Sequence, residues 1–202
     1  MSKPGLAILM AAAIGACGPS IRTQARPYVV RSPHRSVVVF PFDWAGGARN
    51  GSPQATSSFA AKLAADGFLL VNQAKARTVY DGSALKRGSF NALADAAQFG
   101  SALGGKAVLL GSVDDAYDRV ERRPPVFGRD ARGRRILLEP SQSYRWAGLS
   151  LRVKLIDAGT GAVLWASAYS GRLGGVSLST VADQVTDVLN QELLEAIEQK
   201  QF

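Results

Sequence analysis

Ala107-Val108-Leu109-Leu110-Gly111-Ser112-Val113 is an apolar run of strand length with no polar alternation, the pattern of a strand covered on both faces. Ser36-Val37-Val38-Val39-Phe40-Pro41-Phe42 is a second run of this kind, rich in β-branched residues and closed by a proline. Between the two, after a loop from Asp43 to Pro53, the spacing predicts a helix. It would bury Phe59 and Leu63, with Ala60 and Ala64, and end at Asp66-Gly67 before a short strand, Phe68-Leu69-Leu70-Val71. After a loop bearing Gly and Lys, the positions Phe90, Leu93, Ala97 and Leu103 predict a second helix, interrupted near Gly100 and closed by Gly104-Gly105. Fully apolar short strands joined to amphipathic helices imply an α/β sheet with helices over its faces.

Downstream the pattern changes. Leu149, Leu151, Val153 and Leu155 alternate with Ser150, Arg152 and Lys154, and Val163 and Trp165 continue the alternation beyond Asp157-Ala158-Gly159-Thr160-Gly161. This is an antiparallel hairpin with a glycine-bearing turn. Leu178, Val181, Val185, Val188, Leu189 and Ile197 then follow helical spacing to the end of the chain. The expected fold class is therefore α/β. It is a single three-layer domain with a mixed sheet of roughly five strands and about three helices, in the order β-α-β-α-β-β-β-α.

The front of the chain has a different logic. Lys3 precedes the apolar run Leu6 to Ile14, which ends in small residues and is too short to span a bilayer as a helix. Ile14-Gly15-Ala16-Cys17 resembles the lipobox of bacterial lipoproteins, which implies removal of residues 1–16 and acylation at Cys17, the only cysteine. Gly18 stands where an aspartate would signal retention in the inner membrane, so the expected location is the outer membrane, facing the periplasm. Residues 18–35 carry Pro19, Pro27 and Pro33 with polar residues and no apolar periodicity. Residues 17–35 are expected to be a lipidated tether and 36–202 the folded domain.

A hydrophobic content of 47% against 20% charged residues excludes a disordered chain. The net charge of +8 loses one positive charge when Lys3 is cleaved off. Such a basic balance suits an anionic partner or, equally, a basic protein that is merely soluble. Export excludes nucleic acid and leaves lipid head groups, acidic glycans or acidic proteins.

The order of elements resembles the family of the curli-export lipoprotein CsgG and its pore-less LpoB-type relatives. The likeness lies in Val37 to Phe42, in Lys106 to Val113, and in the strand, Asp-x-x-Thr-Gly turn and Val-Leu-Trp strand from Leu151 to Trp165. In a pore-forming member the connection corresponding to residues 114–148 would supply a membrane hairpin. Here that connection carries charges on both faces and Pro124-Pro125, and arginine on a lipid face costs about 2–4 kcal/mol near the midplane. The second connection, Ser170 to Val176, is too short for one. The resemblance thus implies a member without a pore, held to the membrane by the acyl chains on Cys17 alone.

Seven arginines crowd this insertion, Arg119, Arg122, Arg123, Arg129, Arg132, Arg134 and Arg135, against Glu121 and Asp130. Arginine favours bidentate contact with carboxylate and phosphate. With Phe127 and Tyr144 as apolar anchors, the group is the candidate partner-binding site. A solvated hairpin whose charges block wrong strand pairing is the competing reading. Gly46-Gly47, with Asp43, Trp44 and Arg49, would suit a phosphate only weakly, lacking a P-loop ending. Asp114, Asp115 and Asp118 at an expected strand end would suit a cation or acid–base pair, or plain solvation. His34, the only histidine, has no partner spacing. No catalytic residue, metal or cofactor is expected.

The function this implies is a non-enzymatic lipoprotein that binds an envelope protein, acidic in character, and assists an envelope machine in cell-wall synthesis, secretion or appendage assembly. A ring-forming export or gating component of the CsgG type is the alternative, and it leaves homo-oligomerisation open. A lipid-anchored hydrolase using the acidic residues is a third.

Overall fold

The computed structural model describes residues 20–24, 35–45, 48–49, 51–83, 85 and 88–198. Cys17, His34 and Gly46-Gly47 lie outside the described residues. The central sheet contains β1 (Ser20–Gln24), β2 (Ser36–Val39), β3 (Asp43–Trp44), β4 (Leu69–Leu70), β5 (Ala107–Arg123), β8 (Gln142–Asp157) and β9 (Val163–Gly174). Its order is β1-β9-β8-β5-β2-β4, with β3 also pairing β5. β2 runs parallel to β4 and β5, whereas β8 and β9 add antiparallel strands, so the sheet is mixed as expected. A separate hairpin pairs β6 (Val126–Arg129) with β7 (Arg135–Glu139).

Helices cover both faces, giving three layers. On one face α1 (Gly51–Ala65) and α4 (Leu178–Glu198) bury Phe59, Leu63, Val181, Val185, Leu189 and Leu193 against Val37, Val39, Leu109, Leu155 and the fully buried Trp165. On the other, α2 (Gln73–Gly82) and α3 (Leu93–Ala102) bury Ala76, Tyr80, Ala96 and Ala97 against Val38, Phe40, Val108 and Leu110. The same strand thus feeds both clusters with alternate residues, which is why its sequence is apolar without alternation. The two helices of the first face are further joined by Lys62 and Asp187, at 2.5 Å. Asp187 holds the Lys62 ammonium above its ordinary value.

The Asp157 turn forms as expected. Its carboxylate accepts from the backbone N–H of Gly159 and Thr160 at 2.9 and 2.7 Å and from the Thr160 hydroxyl, and Gly161 takes a positive φ of 70°. In α4, Leu178, Val181, Val185, Leu189 and Ile197 are buried, while Val188 is only half-buried.

Four elements differ from expectation. Residues 73–82 form α2, although only Ala76 and Tyr80 of this polar segment are buried. It is capped by Asn72, whose side chain accepts from the Lys75 N–H. The second predicted helix starts later, at Leu93, and runs through Gly100 instead of breaking there. A Cβ on Gly100 would lie 2.1 Å from a Val108 methyl, so the glycine sets the close approach of α3 to β5. Within the stretch expected to be a tether, Ser20–Gln24 pairs antiparallel with β9 and covers its outer edge. Finally, β5 does not end at Val113 but continues to Arg123.

Gly111 provides a test of the packing. A Cβ there would lie 2.4–2.6 Å from the ring of Phe42, which is fully buried and has nowhere to move. Gly111→Ala is expected to destabilise the fold by about 1–3 kcal/mol, read from the urea midpoint at unchanged slope; an unchanged midpoint would contradict the contact.

Candidate interaction site

The insertion at 114–148 is a β-ribbon. β5 and β8 pair without a break in strand direction from Ala107↔Asp157 to Arg123↔Gln142, with one bulge between Val113 and Asp115. Pro124-Pro125 ends the ribbon, and the chain restarts as the β6–β7 tip. The prolines therefore separate the shaft from the tip.

The bulge decides which side chains share a face. Before it, Leu109 and Val113 point to the α1/α4 face; after it, Ala116 does. Tyr117, Arg119, Glu121 and Arg123 consequently project from the opposite, uncovered face, together with their cross-strand neighbours Gly148, Trp146, Tyr144 and Gln142. β9 adds Arg172 beside Gly148, and Gly174 beside Trp146. The face is thus an interleaved set of arginines and aromatic rings. Arg119 lies over Tyr117, Arg123 over Tyr144 and Arg172 over Trp146, each 5.2 Å from the ring centroid. The Tyr117 ring stands over Gly148, where a Cβ would lie 2.4 Å from it. Such stacking holds the guanidinium planes flat, and Arg119 also pairs with Glu121 on the same face at 3.1 Å.

Of the predicted partner-binding residues, Arg119, Arg123 and Tyr144 meet on this face. Arg122 projects from the other side of β5. Phe127, Arg129, Arg132, Arg134 and Arg135 are on or beside the tip, where Arg135 stacks on Phe127 at 3.8 Å. Asp130 organises the tip turn: it accepts the Arg132 and Arg134 N–H groups at 2.9 Å each and the Arg134 side chain at 2.8 Å. The Arg134 backbone and side chain hold its carboxyl below the usual range. Tyr117, Trp146 and Arg172 were missed. Their signal, aromatic residues alternating with arginine at a spacing of two, was masked by reading the segment as charged on both faces.

Two of the three acidic candidates, Asp114 and Asp118, are paired with arginines, while Asp115 is exposed. Asp114 meets Arg152 through two hydrogen bonds of 2.6 and 2.5 Å. Asp118 meets Arg145 at 2.8 and 2.7 Å and also accepts the Leu178 N–H at the start of α4, at 3.1 Å. These are mid-strand carboxylates neutralised by arginines, which is not the strand-end cluster expected. Among the described residues no group of His, Cys, Asp and Glu could hold a metal ion. Asp43, buried at the start of the first βα loop, accepts the Tyr80 hydroxyl at 2.6 Å and the Phe90 N–H at 2.9 Å. It therefore clamps α2 and the approach to α3, and does not face a phosphate. Arg49 lies 6.0 Å over Trp44.

The arrangement defines a class: a three-layer α/β domain on a mixed sheet, from which one strand pair projects as a cationic, aromatic-bearing ribbon. Solved structures with this fold include the PelC dodecamer from Paraburkholderia phytofirmans, with a TM-score of 0.53 and 18% identity over 86% of this chain and 96% of that one. Lipoprotein GNA1162 from Neisseria meningitidis aligns with a TM-score of 0.51 and 17% identity over 79% of this chain and 97% of its own. The LpoB C-terminal domain from Salmonella enterica aligns more loosely, with a TM-score of 0.40 and 16% identity over 72% of this chain and 86% of its own. No family model matches the chain. No curated protein matches it either. At such identities what is shared is the fold.

Asp118 allows a sign to be worked out. Arg145 first, then the Leu178 N–H, depress its folded-state pKa. Its contribution is therefore complete above the ordinary carboxylate value of 3.8 and is lost as pH falls through the lower folded value. Asp118→Asn is expected to lower the melting temperature at pH 6, with the gap from the parent closing as the pH falls below 3.8 and through the lower folded value. A gap independent of pH would rule out this pairing as its source.

Proposed function

We propose that this chain is an outer-membrane lipoprotein, facing the periplasm and anchored through Cys17 after removal of residues 1–16. Its domain serves as a non-enzymatic binding and assembly factor for an envelope machine. The observation that carries this reading is the ribbon: an exposed face of stacked arginines and aromatic rings, beside Asp114 and Asp118, which are paired with Arg152 and Arg145. Nucleophile, base and metal ligands are not assembled there, whereas bidentate donors for an acidic protein partner are. Arg119, Arg122, Arg123 and Tyr144 on the shaft, and Phe127, Arg129, Arg132, Arg134 and Arg135 at the tip, form the binding residues in this reading. Tyr117, Trp146 and Arg172 extend it. The shared fold with lipoprotein GNA1162 supports the lipid-anchored part of this reading.

Reversing Arg119, Arg123 and Arg172 to glutamate is expected to weaken capture of the partner from solubilised envelopes at least about tenfold, since each buried charged contact is worth more than 1 kcal/mol. Retention of every captured protein would remove the shaft from the binding site. The intact mass of the purified protein should show an acylated N-terminal Cys17; a free thiol would remove the anchor.

A second reading is a ring-forming export or gating component of the CsgG type. It is favoured by the dodecameric state of PelC, which has this fold. Light scattering after size exclusion separates the two, because a stable ring of many copies at micromolar concentration supports the second.

A further inference from the structure

Among the described residues Lys154 is a cation that meets no carboxylate. Its neighbours Val153 and Leu155 enter the α1/α4 core, so Lys154 projects from the other face of β8, where it is half-buried. There its ammonium donates to the Phe90 carbonyl at 3.3 Å and stands 3.9 Å from the centre of the Phe90 ring. A charge drawn partly out of water is ordinarily paired. A carbonyl and a ring face answer it only in part. Burial first, and the Arg152 charge second, hold the Lys154 pKa below the ordinary lysine value, as suits an ammonium with a like charge beside it and no counter-ion.

The groups around it are fixed in place. Phe90 is buried and its N–H donates to Asp43 at 2.9 Å, which anchors the ring and the carbonyl that position Lys154. Arg152 is two residues back along β8, about 7 Å away, and lies 4.9 Å over the same ring. Asp114 accepts from its Nε and Nη2 at 2.6 and 2.5 Å, and the Ser112 hydroxyl donates to Asp114 at 3.2 Å. Nη1 of Arg152 is left as a donor with no acceptor among the described residues. Asp114 thus cancels one of these two positive charges and leaves the other.

Beside Arg152 and Lys154 lies an open depression of about 310 Å³, within the size range of small-ligand sites. Phe90 and Asn91 wall it on one side. Ala166 and Ala168, the cross-strand neighbours of Lys154 and Arg152, make a small apolar floor. β1 runs along the far edge of that floor, where Gln24 pairs with Ala166 and Arg22 with Ala168.

We propose that this depression binds a small organic carboxylate, whose anionic group meets Lys154 and Nη1 of Arg152 and whose apolar part lies over Ala166 and Ala168. A monoanion matches the one uncancelled charge, whereas a phosphate dianion would also face the Asp114 carboxylate. The site lies at the root of the ribbon and shares no residue with the partner-binding set proposed above.

The test follows the alanine methyl resonances of the full mature chain in detergent micelles, with sodium benzoate as the probe. Benzoate is expected to shift the Ala166 and Ala168 signals saturably, and benzamide, its uncharged counterpart, to leave them in place. Lys154→Met keeps an apolar stem over Phe90 and removes the charge. It should weaken benzoate binding at least about tenfold, the loss expected for a charged hydrogen bond, and Lys154→Arg should retain more binding than Lys154→Met. If Lys154→Met lowers the melting temperature, the comparison of benzoate with benzamide on the parent chain still decides. Equal shifts with benzamide, no saturable shift with benzoate, or unchanged affinity in a folded Lys154→Met chain would each overturn the site. Tighter binding of phenyl phosphate than of benzoate would overturn the carboxylate assignment.

Discussion

The pairing of β5 with β8 is the constraint on which the molecule depends. Over its first half it is the middle of the core: Leu109 and Leu155 feed the α1/α4 layer, while Val108, Leu110 and Ile156 feed the α2/α3 layer. Over its second half the same ladder leaves the core and becomes the shaft of the ribbon. A single bulge after Val113 divides the two regimes. Because side chains alternate strictly, one extra residue exchanges the faces beyond it. That exchange turns Asp118 toward the first turn of α4 and turns Tyr117 and Arg119 outward. The core and the interaction face are consequently not independent designs.

Polar groups hold the ends of this arrangement. Asp43 ties the Tyr80 hydroxyl and the Phe90 N–H together beneath the loops on one side. Asp118 ties Arg145 to the start of the terminal helix on the other. Between them Arg152 and Lys154 lie against Phe90, at 4.9 and 3.9 Å from its ring. Burial first, and the neighbouring Arg152 charge second, lower the Lys154 pKa. Lys154 also donates to the Phe90 carbonyl at 3.3 Å, so this part of β8 is tied to the chain leading into α3.

What could be read from residues alone follows the strength of their burial. Val37 to Val39, Ala107 to Val113, the Asp157 turn and α4 carry their periodicity openly because each meets a full core layer. α2 was not legible, since two buried side chains in ten leave almost no period to detect. β1 was hidden because it lies in a polar, proline-bearing stretch with no apolar periodicity. The arginines of the site were legible as a composition. Their division between shaft and tip was not, because it depends on the cross-strand register and on where Pro124-Pro125 falls within it. The acids illustrate the same limit: Asp114 and Asp118 are near in sequence, but the bulge sends them to different arginines on different faces.

β1 also has a mechanical meaning. It is joined to β9 by an antiparallel ladder from Ser20↔Ser170 to Gln24↔Ala166. A pull on Ser20 along the strand axis loads the rungs of that ladder together, in shear, and not one after another as in peeling. Force applied at Ser20 is therefore delivered across β9 and β8 to the strand that bears the ribbon. The edge strand is a splice that passes tension into the sheet.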